Sequence, residues 1–169
     1  MLLAHAGVAV FIIGVGLVKG YETERDVRMA IGDKATLGGY EFAFIDTKDV
    51  AGPNYRAIRG TFEVRKEGAK EVDRTLFPEK RTYTASGQTM TEAAIDAGFV
   101  RDLYVSLGEP VDDSGRAWGV RIYRKPFVNW IWGGCALMAL GGFIAIADRR
   151  YRAKRPATVP EGVAAGARA

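Results

Sequence analysis

The sequence has little cysteine and little histidine, and these shortages exclude several kinds of site. Its 169 residues contain one cysteine and one histidine. A single cysteine cannot form a disulfide within the chain, so an exported domain must be held together by its own core. The two residues also cannot build the Cys/His constellations that bind structural zinc. We therefore interpret Cys135 as a small packing residue.

Motifs for common enzyme chemistry are missing as well. The sequence has no GxxxxGK[ST] phosphate loop and no CxxCH motif for covalent haem attachment. A Ser–His–Asp triad is not expected, because the only histidine lies in an apolar run that contains no acidic residue. Residues 21–126 carry 17 basic and 18 acidic residues, so the basic excess comes from residues 148–169 and gives no argument for nucleic acid.

What the sequence does have is two long uncharged apolar runs. They are MLLAHAGVAVFIIGVGLV at residues 1–18 and FVNWIWGGCALMALGGFIAIA at residues 127–147. A helix needs about 20 apolar residues to cross a bilayer. The first run lacks the basic start and the cleavage site of a signal peptide, so we predict that it is retained. Residues 1–20 and 127–147 are therefore assigned to two transmembrane helices.

The basic cluster after the second run predicts the orientation of both helices. Residues 148–155 read DRRYRAKR, and such clusters stay on the cytoplasmic side of a membrane. This assignment places residues 21–126 on the opposite side of the membrane, as an exported domain. Residues 148–169 become a basic cytoplasmic tail, and its Pro/Gly/Ala-rich end is expected to be partly disordered.

Alternation of apolar and polar residues predicts antiparallel strands between the two runs. Alternating segments occupy residues 40–46, 59–66, 102–107 and 117–123, with Gly, Pro and Asp between them. The predicted fold class is therefore membrane α + β, with two transmembrane helices bracketing a small antiparallel β-sandwich or barrel-like domain. The candidate inward-facing residues are Phe42, Phe44, Phe62, Val64, Leu103, Val105, Trp118 and Val120.

Residues 78–99 are expected to be rich in loops. Within them, Thr89 and Glu92 match a capping box for one short helix at TEAAID, although an extended connection fits equally well. The stretch PEKRTY at residues 78–83 has two interpretations, a solvated strand edge or a site for an anionic group such as a haem propionate. Both features remain open from the sequence.

His5 is the candidate site residue. An ionisable side chain within an apolar span is expensive to bury and therefore suggests a function. Neutral imidazole is the usual axial ligand of haem iron. On a helix, His5 shares a face with Ala9, Ile12 and Gly16, and much of this face is small. Two interpretations stay open: an axial ligand of a non-covalently held haem, or a histidine hydrogen-bonded across a helix–helix contact.

The glycines of the second run predict close packing of helices. Gly133, Gly134, Gly141 and Gly142 all lie within it, and Gly134 and Gly141 are seven residues apart on one helical face. Small residues let neighbouring helices approach closely. The two spans therefore resemble part of a larger helical bundle.

Eight blocks in order support a resemblance to a known family. They are LAHAGVAVFIIGV, ERDVRM, GYEFAF, GPNYRA, PEKRTY, MTEAAID, RDLYVSLGE and VRIYRKPFVNWIW, within about residues 3–152. These blocks resemble the C-terminal part of the cytochrome c-type biogenesis proteins of the CcmF/NrfE family, which are haem lyase subunits. The remaining tail contributes nothing to the resemblance.

The resemblance implies a function in cytochrome c maturation. Members of that family are polytopic inner-membrane proteins that receive haem from a periplasmic haem chaperone and help attach it to apocytochrome c. The histidine of the LAHxG block ligates a membrane b-type haem, and carried over to this sequence it is His5. The proposed role of that haem in the family is to pass on electrons from quinol. The implied partners are the remainder of the lyase subunit and other maturation subunits. The resemblance also implies a bacterial inner-membrane protein with residues 21–126 as its periplasmic domain.

The sequence departs from the family pattern by what it does not contain. The tryptophan-rich haem-handling segment, the two periplasmic histidines, the opposing haem ligand and most of the helices are absent. Met1 also stands four residues before His5, within the apolar run. We therefore expect a fragment or split-gene product that is not catalytic alone. The alternative function is a membrane-anchored β module that scaffolds partners and has no haem or redox role.

Overall fold

Two apolar helices enclose ten β-strands along the chain. The computed structural model describes residues 2–112 and 115–147, so the predicted tail lies outside the described residues. Helix α1 spans Leu2–Tyr21 and helix α2 spans Val128–Ala147. The strands are β1 Thr23–Ala30, β2 Lys34–Leu37, β3 Tyr40–Ala51, β4 Tyr55–Lys66, β5 Arg74–Leu76, β6 Glu79–Tyr83, β7 Thr89–Glu92, β8 Ala94–Ala97, β9 Arg101–Pro110 and β10 Ala117–Pro126.

The strands form two antiparallel sheets that pack face to face. One sheet has the order β1-β10-β9-β8. The other has the order β2-β3-β4-β6-β7, and β5 also pairs with β4. The Arg25 guanidinium on β1 donates to the Thr36 carbonyl on β2 at 2.9 Å, which bridges the two sheets along one side. The predicted antiparallel sandwich between two helices is confirmed.

The core of the sandwich is made of large apolar side chains from both sheets. The Phe44 and Phe62 rings stack with their centroids 4.6 Å apart. All eight residues predicted to face inward are buried, because strand alternation places them between the sheets. Burying one such large side chain contributes roughly 1.5–3 kcal/mol relative to leaving it exposed.

The prediction of a loop-rich segment at residues 78–99 is wrong. Three strands, β6, β7 and β8, occupy most of it. The short helix at TEAAID is also wrong, because Thr89–Glu92 pairs with β6 and Ala94–Ala97 pairs with β9. The backbone groups of both segments are hydrogen-bonded to neighbouring strands, so no helix forms here. The capping-box pattern at Thr89 therefore has no helix to cap. The extended alternative is the one observed.

The sandwich joins each helix through a single residue. Glu22 alone separates α1 from β1, and Phe127 alone separates β10 from α2. The Lys19 ammonium contacts the Glu22 carboxylate at 2.7 Å. Phe127 has a φ of 64°, a left-handed conformation that a non-glycine residue rarely adopts. Such short junctions leave the sandwich little freedom to turn relative to the helix pair.

Candidate functional site

Helices α1 and α2 pack against each other through glycines. A Cβ added at Gly134 would lie 2.5 Å from the backbone nitrogen of Phe11, and one added at Gly141 would lie 2.5 Å from that of Ala4. On α1, a Cβ at Gly7 would lie 2.6 Å from the backbone nitrogen of Met138. The helices are therefore antiparallel and close enough for backbone contact, as the Gly134 and Gly141 spacing predicts.

His5 lies on the opposite side of α1 from this contact. Gly7 and Gly14 are buried and face α2. At about 100° per residue, His5, Ala9, Ile12 and Gly16 lie more than 120° around the helix from the centre of the packed face. All four of these residues are exposed, and a Cβ added at Gly16 would meet nothing within 4 Å. The face predicted to be small therefore points away from α2.

The face that carries His5 is suited to a group from outside the described residues. It offers one imidazole as a nitrogen donor, with small neighbours that let a planar group approach the backbone. One imidazole could supply one nitrogen ligand to a metal centre, and any further ligand would have to come from elsewhere. Among residues 2–112 and 115–147, no three His, Cys, Asp or Glu side chains lie close enough together to hold a metal ion.

The basic stretch at residues 78–83 is an interior part of the sheet. Strand β6 lies between β4 and β7, so the interpretation as a solvated strand edge is wrong. Its basic groups face carboxylates: Lys80 pairs with Glu109, and the Arg81 Nε lies 2.7 Å from Glu79 Oε2. These charges are already compensated within the sandwich, which argues against the propionate site.

Glu79 is a buried carboxylate shared by two arginines. The Arg59 Nε donates to Glu79 Oε1 at 2.6 Å while Arg81 donates to the other oxygen. Burial alone would raise the pKa of the Glu79 carboxyl. The hydrogen bonds from Arg81 and Arg59 outweigh burial and hold that pKa below its usual range. This ion pair links β4 to β6 and stabilises the sheet, and a carboxyl with a lowered pKa is poorly suited to proton transfer near neutral pH.

A cleft of about 650 Å³ is lined by residues of β1, β9 and β10 in the four-stranded sheet and of β6 and β7 in the other sheet. Gly108 and Gly119 line it, with charged side chains of both signs around them. The Arg121 guanidinium holds Asp26 through two hydrogen bonds of 2.6 and 2.8 Å. These hydrogen bonds lower the pKa of the Asp26 carboxyl. The charged side chains of the cleft are of both signs and include a close ion pair, so they do not indicate a particular ligand.

Gly7 and Gly14 form the α1 side of the helix contact and were not predicted to do so. They are seven residues apart, in the same way as Gly134 and Gly141. Matching the two spacings would have identified the pair. Cys135 is half-buried within α2, as expected for a packing residue.

Comparison with known proteins gives consistent matches. A family model described as the CcmF C-terminal beta-sandwich matches residues 20–126. The chain is 52% identical over 163 residues to the cytochrome c-type biogenesis protein CcmF of Pseudomonas aeruginosa, covering 96% of this chain and 24% of that protein. It is 48% identical over 166 residues to CcmF of Escherichia coli, covering 96% of this chain and 25% of that protein.

A solved structure shares the fold. The structure titled cytochrome c haem lyase CcmF matches with a TM-score of 0.69 at 18% identity, covering 84% of this chain and 23% of that chain. The match supports the arrangement of two helices around a sandwich. The chain spans about a quarter of the length of these relatives.

Proposed function

The chain belongs to the CcmF family of cytochrome c-type biogenesis proteins, and from this premise we propose that it is the C-terminal part of a haem lyase subunit. The full protein would attach haem to apocytochrome c together with other maturation subunits and a periplasmic haem chaperone. The observation that carries the proposal is the match of 96% of this chain to a CcmF relative at 52% identity.

We propose that α1 and α2 cross the bacterial inner membrane and that the sandwich lies in the periplasm. Both helices are long and apolar enough to cross a bilayer. Both meet the sandwich at the same end, through Glu22 and Phe127, so one membrane face is sufficient for the whole sandwich. The basic cluster that sets the orientation lies outside the described residues and supports the proposal from sequence alone.

We propose that His5 is an axial ligand of a membrane b-type haem. The exposed imidazole on a face turned away from α2 supports this role, because a ligand to a shared group must point out of its own helix pair. The opposing ligand would come from helices outside the described residues. When bound, such a haem supplies one-electron transfer, with quinol as the proposed electron donor.

The test compares His5→Ala with Ile12→Ala in the full-length protein purified with its partner subunits. The two residues share the outward face of α1, but only His5 offers a nitrogen. We expect His5→Ala to lose the b-type haem absorbance while far-ultraviolet circular dichroism stays unchanged. Exogenous imidazole should partly restore the absorbance, because the space left by the ring remains. Ile12→Ala should keep its haem.

Full haem content in His5→Ala would exclude the ligand role. The scaffold function would then account better for this chain, since a β module that only holds partners needs no axial ligand. Loss of haem in both variants would show instead that the face packs against another element.

A further inference from the structure

The connection between β8 and β9 ends in an apolar tip beside the first turn of α2. We call residues 98–100 the apolar tip. Phe99 is 89% exposed and the adjacent Val100 is 63% exposed. Single exposed apolar side chains are common, whereas a contiguous exposed pair next to an exposed tryptophan, Trp130, forms a patch that marks an interaction surface.

The backbone of the apolar tip is hydrogen-bonded to the protein on all three of its carbonyls. The Asn129 side-chain amide donates to the Gly98 carbonyl at 2.8 Å and to the Phe99 carbonyl at 3.0 Å. The Phe127 N–H donates to the Val100 carbonyl at 3.1 Å. Water would satisfy these carbonyls in an ordinary surface loop, but lipid cannot, so a carbonyl without a protein partner would be costly to place in a bilayer.

The other side of the tip is held from within the sandwich. The Gly98 N–H donates to the buried Asp102 carboxylate at 3.1 Å. Phe127, which has a left-handed backbone conformation, makes two backbone hydrogen bonds. Its N–H donates to the tip, and its carbonyl accepts from the Trp130 N–H at 3.0 Å. The tip is therefore presented in one fixed conformation, and little conformational entropy remains to be lost when it meets a partner.

A groove of about 450 Å³ joins the tip to the outer surface of the helices. Phe99 forms one wall and the exposed side of α2 forms the other. Whatever surrounds the exposed side of α2 therefore also contacts Phe99. The residues that line it are mostly apolar and include Val10, Phe99, Leu137 and Leu140. Asn129 also lines it, and its side-chain amide already donates to the tip.

We infer that the apolar tip inserts into the lipid bilayer at the headgroup–hydrocarbon boundary, with Phe99 as the anchor. This inference rests on the proposed membrane placement of α1 and α2. Lipid is the occupant because the groove is continuous with the apolar face of α2, the tip carries no charged side chain, and its carbonyls are satisfied internally. The anchor fixes the height of the sandwich over the membrane.

Site-directed spin labelling tests the inference in the membrane-embedded protein. A nitroxide is attached to Phe99→Cys in a Cys135→Ala background, in vesicles of phosphatidylethanolamine and phosphatidylglycerol. Its collisions with oxygen, which partitions into lipid, are compared with those of a water-soluble nickel chelate. Ser86→Cys, in the exposed turn between β6 and β7, gives the aqueous reference, and Ile12→Cys reports on the span. Val100→Cys replaces Phe99→Cys if the latter does not fold.

We expect the ratio of oxygen to nickel accessibility at residue 99 to exceed that at residue 86 several-fold. A ratio at residue 99 equal to that at residue 86 places the tip in water and overturns the inference. Low accessibility to both reagents places it against protein and also overturns it. In either case, a label at residue 12 that avoids nickel leaves the membrane placement intact, whereas nickel access there contradicts that placement as well.

Discussion

The sandwich and the helix pair are packed in opposite ways. The fully buried side chains of the sandwich are large, with Phe42, Phe44 and Phe62 at its centre. The buried positions of the helix pair are almost all glycines: Gly7, Gly14, Gly134 and Gly141, with Val18. One region thus buries side-chain bulk, and the other brings two backbones together.

This difference reflects the surroundings proposed for each region. In water, apolar area removed from solvent is the main stabilising contribution, so a small sandwich without disulfides needs large side chains inside. In lipid, apolar side chains gain little by turning inward, and helices associate through close van der Waals contact at small residues. The large side chains of α1 and α2, such as Ile12 and Phe143, accordingly remain exposed on the outside.

The largest expected effect comes from removing bulk in the sandwich. Phe44→Ala leaves a cavity opposite the stacked Phe62 ring, so we expect the free energy of unfolding to fall by about 3–5 kcal/mol. Hydrogen-exchange mass spectrometry of β3 and β4 in the detergent-solubilised chain measures the change. Ile45→Ala is the matched control because Ile45 is the next residue and is 42% exposed. Equal effects in the two variants would contradict the proposed packing.

A smaller effect is expected from adding bulk in the helix pair. Gly134→Ala places a methyl group 2.5 Å from the Phe11 backbone nitrogen, so the helices must separate. Overpacking of this kind costs about 1–3 kcal/mol. Distances between spin labels at Ile13 and Leu140, both on exposed positions, should widen in this variant. The adjacent Gly133→Ala should leave them unchanged, because its Cβ would meet nothing within 4 Å. An unchanged distance in Gly134→Ala would contradict the glycine contact.

The smallest effect is expected from removing a buried charge in the sandwich. Charge also distinguishes the two regions, because both helices lack Asp and Glu. Glu79→Gln removes the charge from two hydrogen bonds to arginine, and Arg59 is partly exposed, so we expect a loss of about 1 kcal/mol at pH 7. The pKa of the Glu79 carboxyl is lowered from 4.5, so ionised Glu79 stabilises fully above about pH 4.5. This contribution disappears as the pH falls through the lowered pKa.

The advantage of the unmodified chain over Glu79→Gln should therefore shrink below pH 4.5. Urea unfolding at several pH values measures this difference in free energy. Glu109→Gln is the control, since the Glu109 side chain is 78% exposed, unlike that of Glu79. A difference for Glu79→Gln that persists unchanged in acid would show that its charge is not the cause.

The parts of the fold that follow from local pattern were predictable from the sequence. Alternation identified the long strands and their inward residues, because one face of each strand is buried and the other is not. It failed at residues 78–99, where β6 to β8 are four or five residues long and too short to show a period. At Thr89, pairing with β6 overrode a local helix signal.

The sequence singles out His5 as a candidate residue, and its role as a ligand stays a prediction. His5 stands out because it is an ionisable residue in an apolar run, and its helical neighbours follow from the period of 3.6 residues. Its direction relative to α2 could not be predicted, since that depends on which glycine face joins the two spans. The apolar tip gave no signal either, because Phe99 and Val100 resemble ordinary strand residues until Asn129 is seen to hold their carbonyls.

The sequence by itself determined that two apolar helices bracket an antiparallel sandwich with an aromatic core, because burial periodicity and apolar length are local properties of the chain. Only the tertiary structure decided that Gly7 and Gly14 meet the backbone of α2, that Gly134 and Gly141 meet the backbone of α1, that His5 faces away from that contact, and that Asn129 fixes the apolar tip. Each of these depends on residues about 30 or more than 110 positions apart, and no short-range pattern records which distant surfaces come into contact.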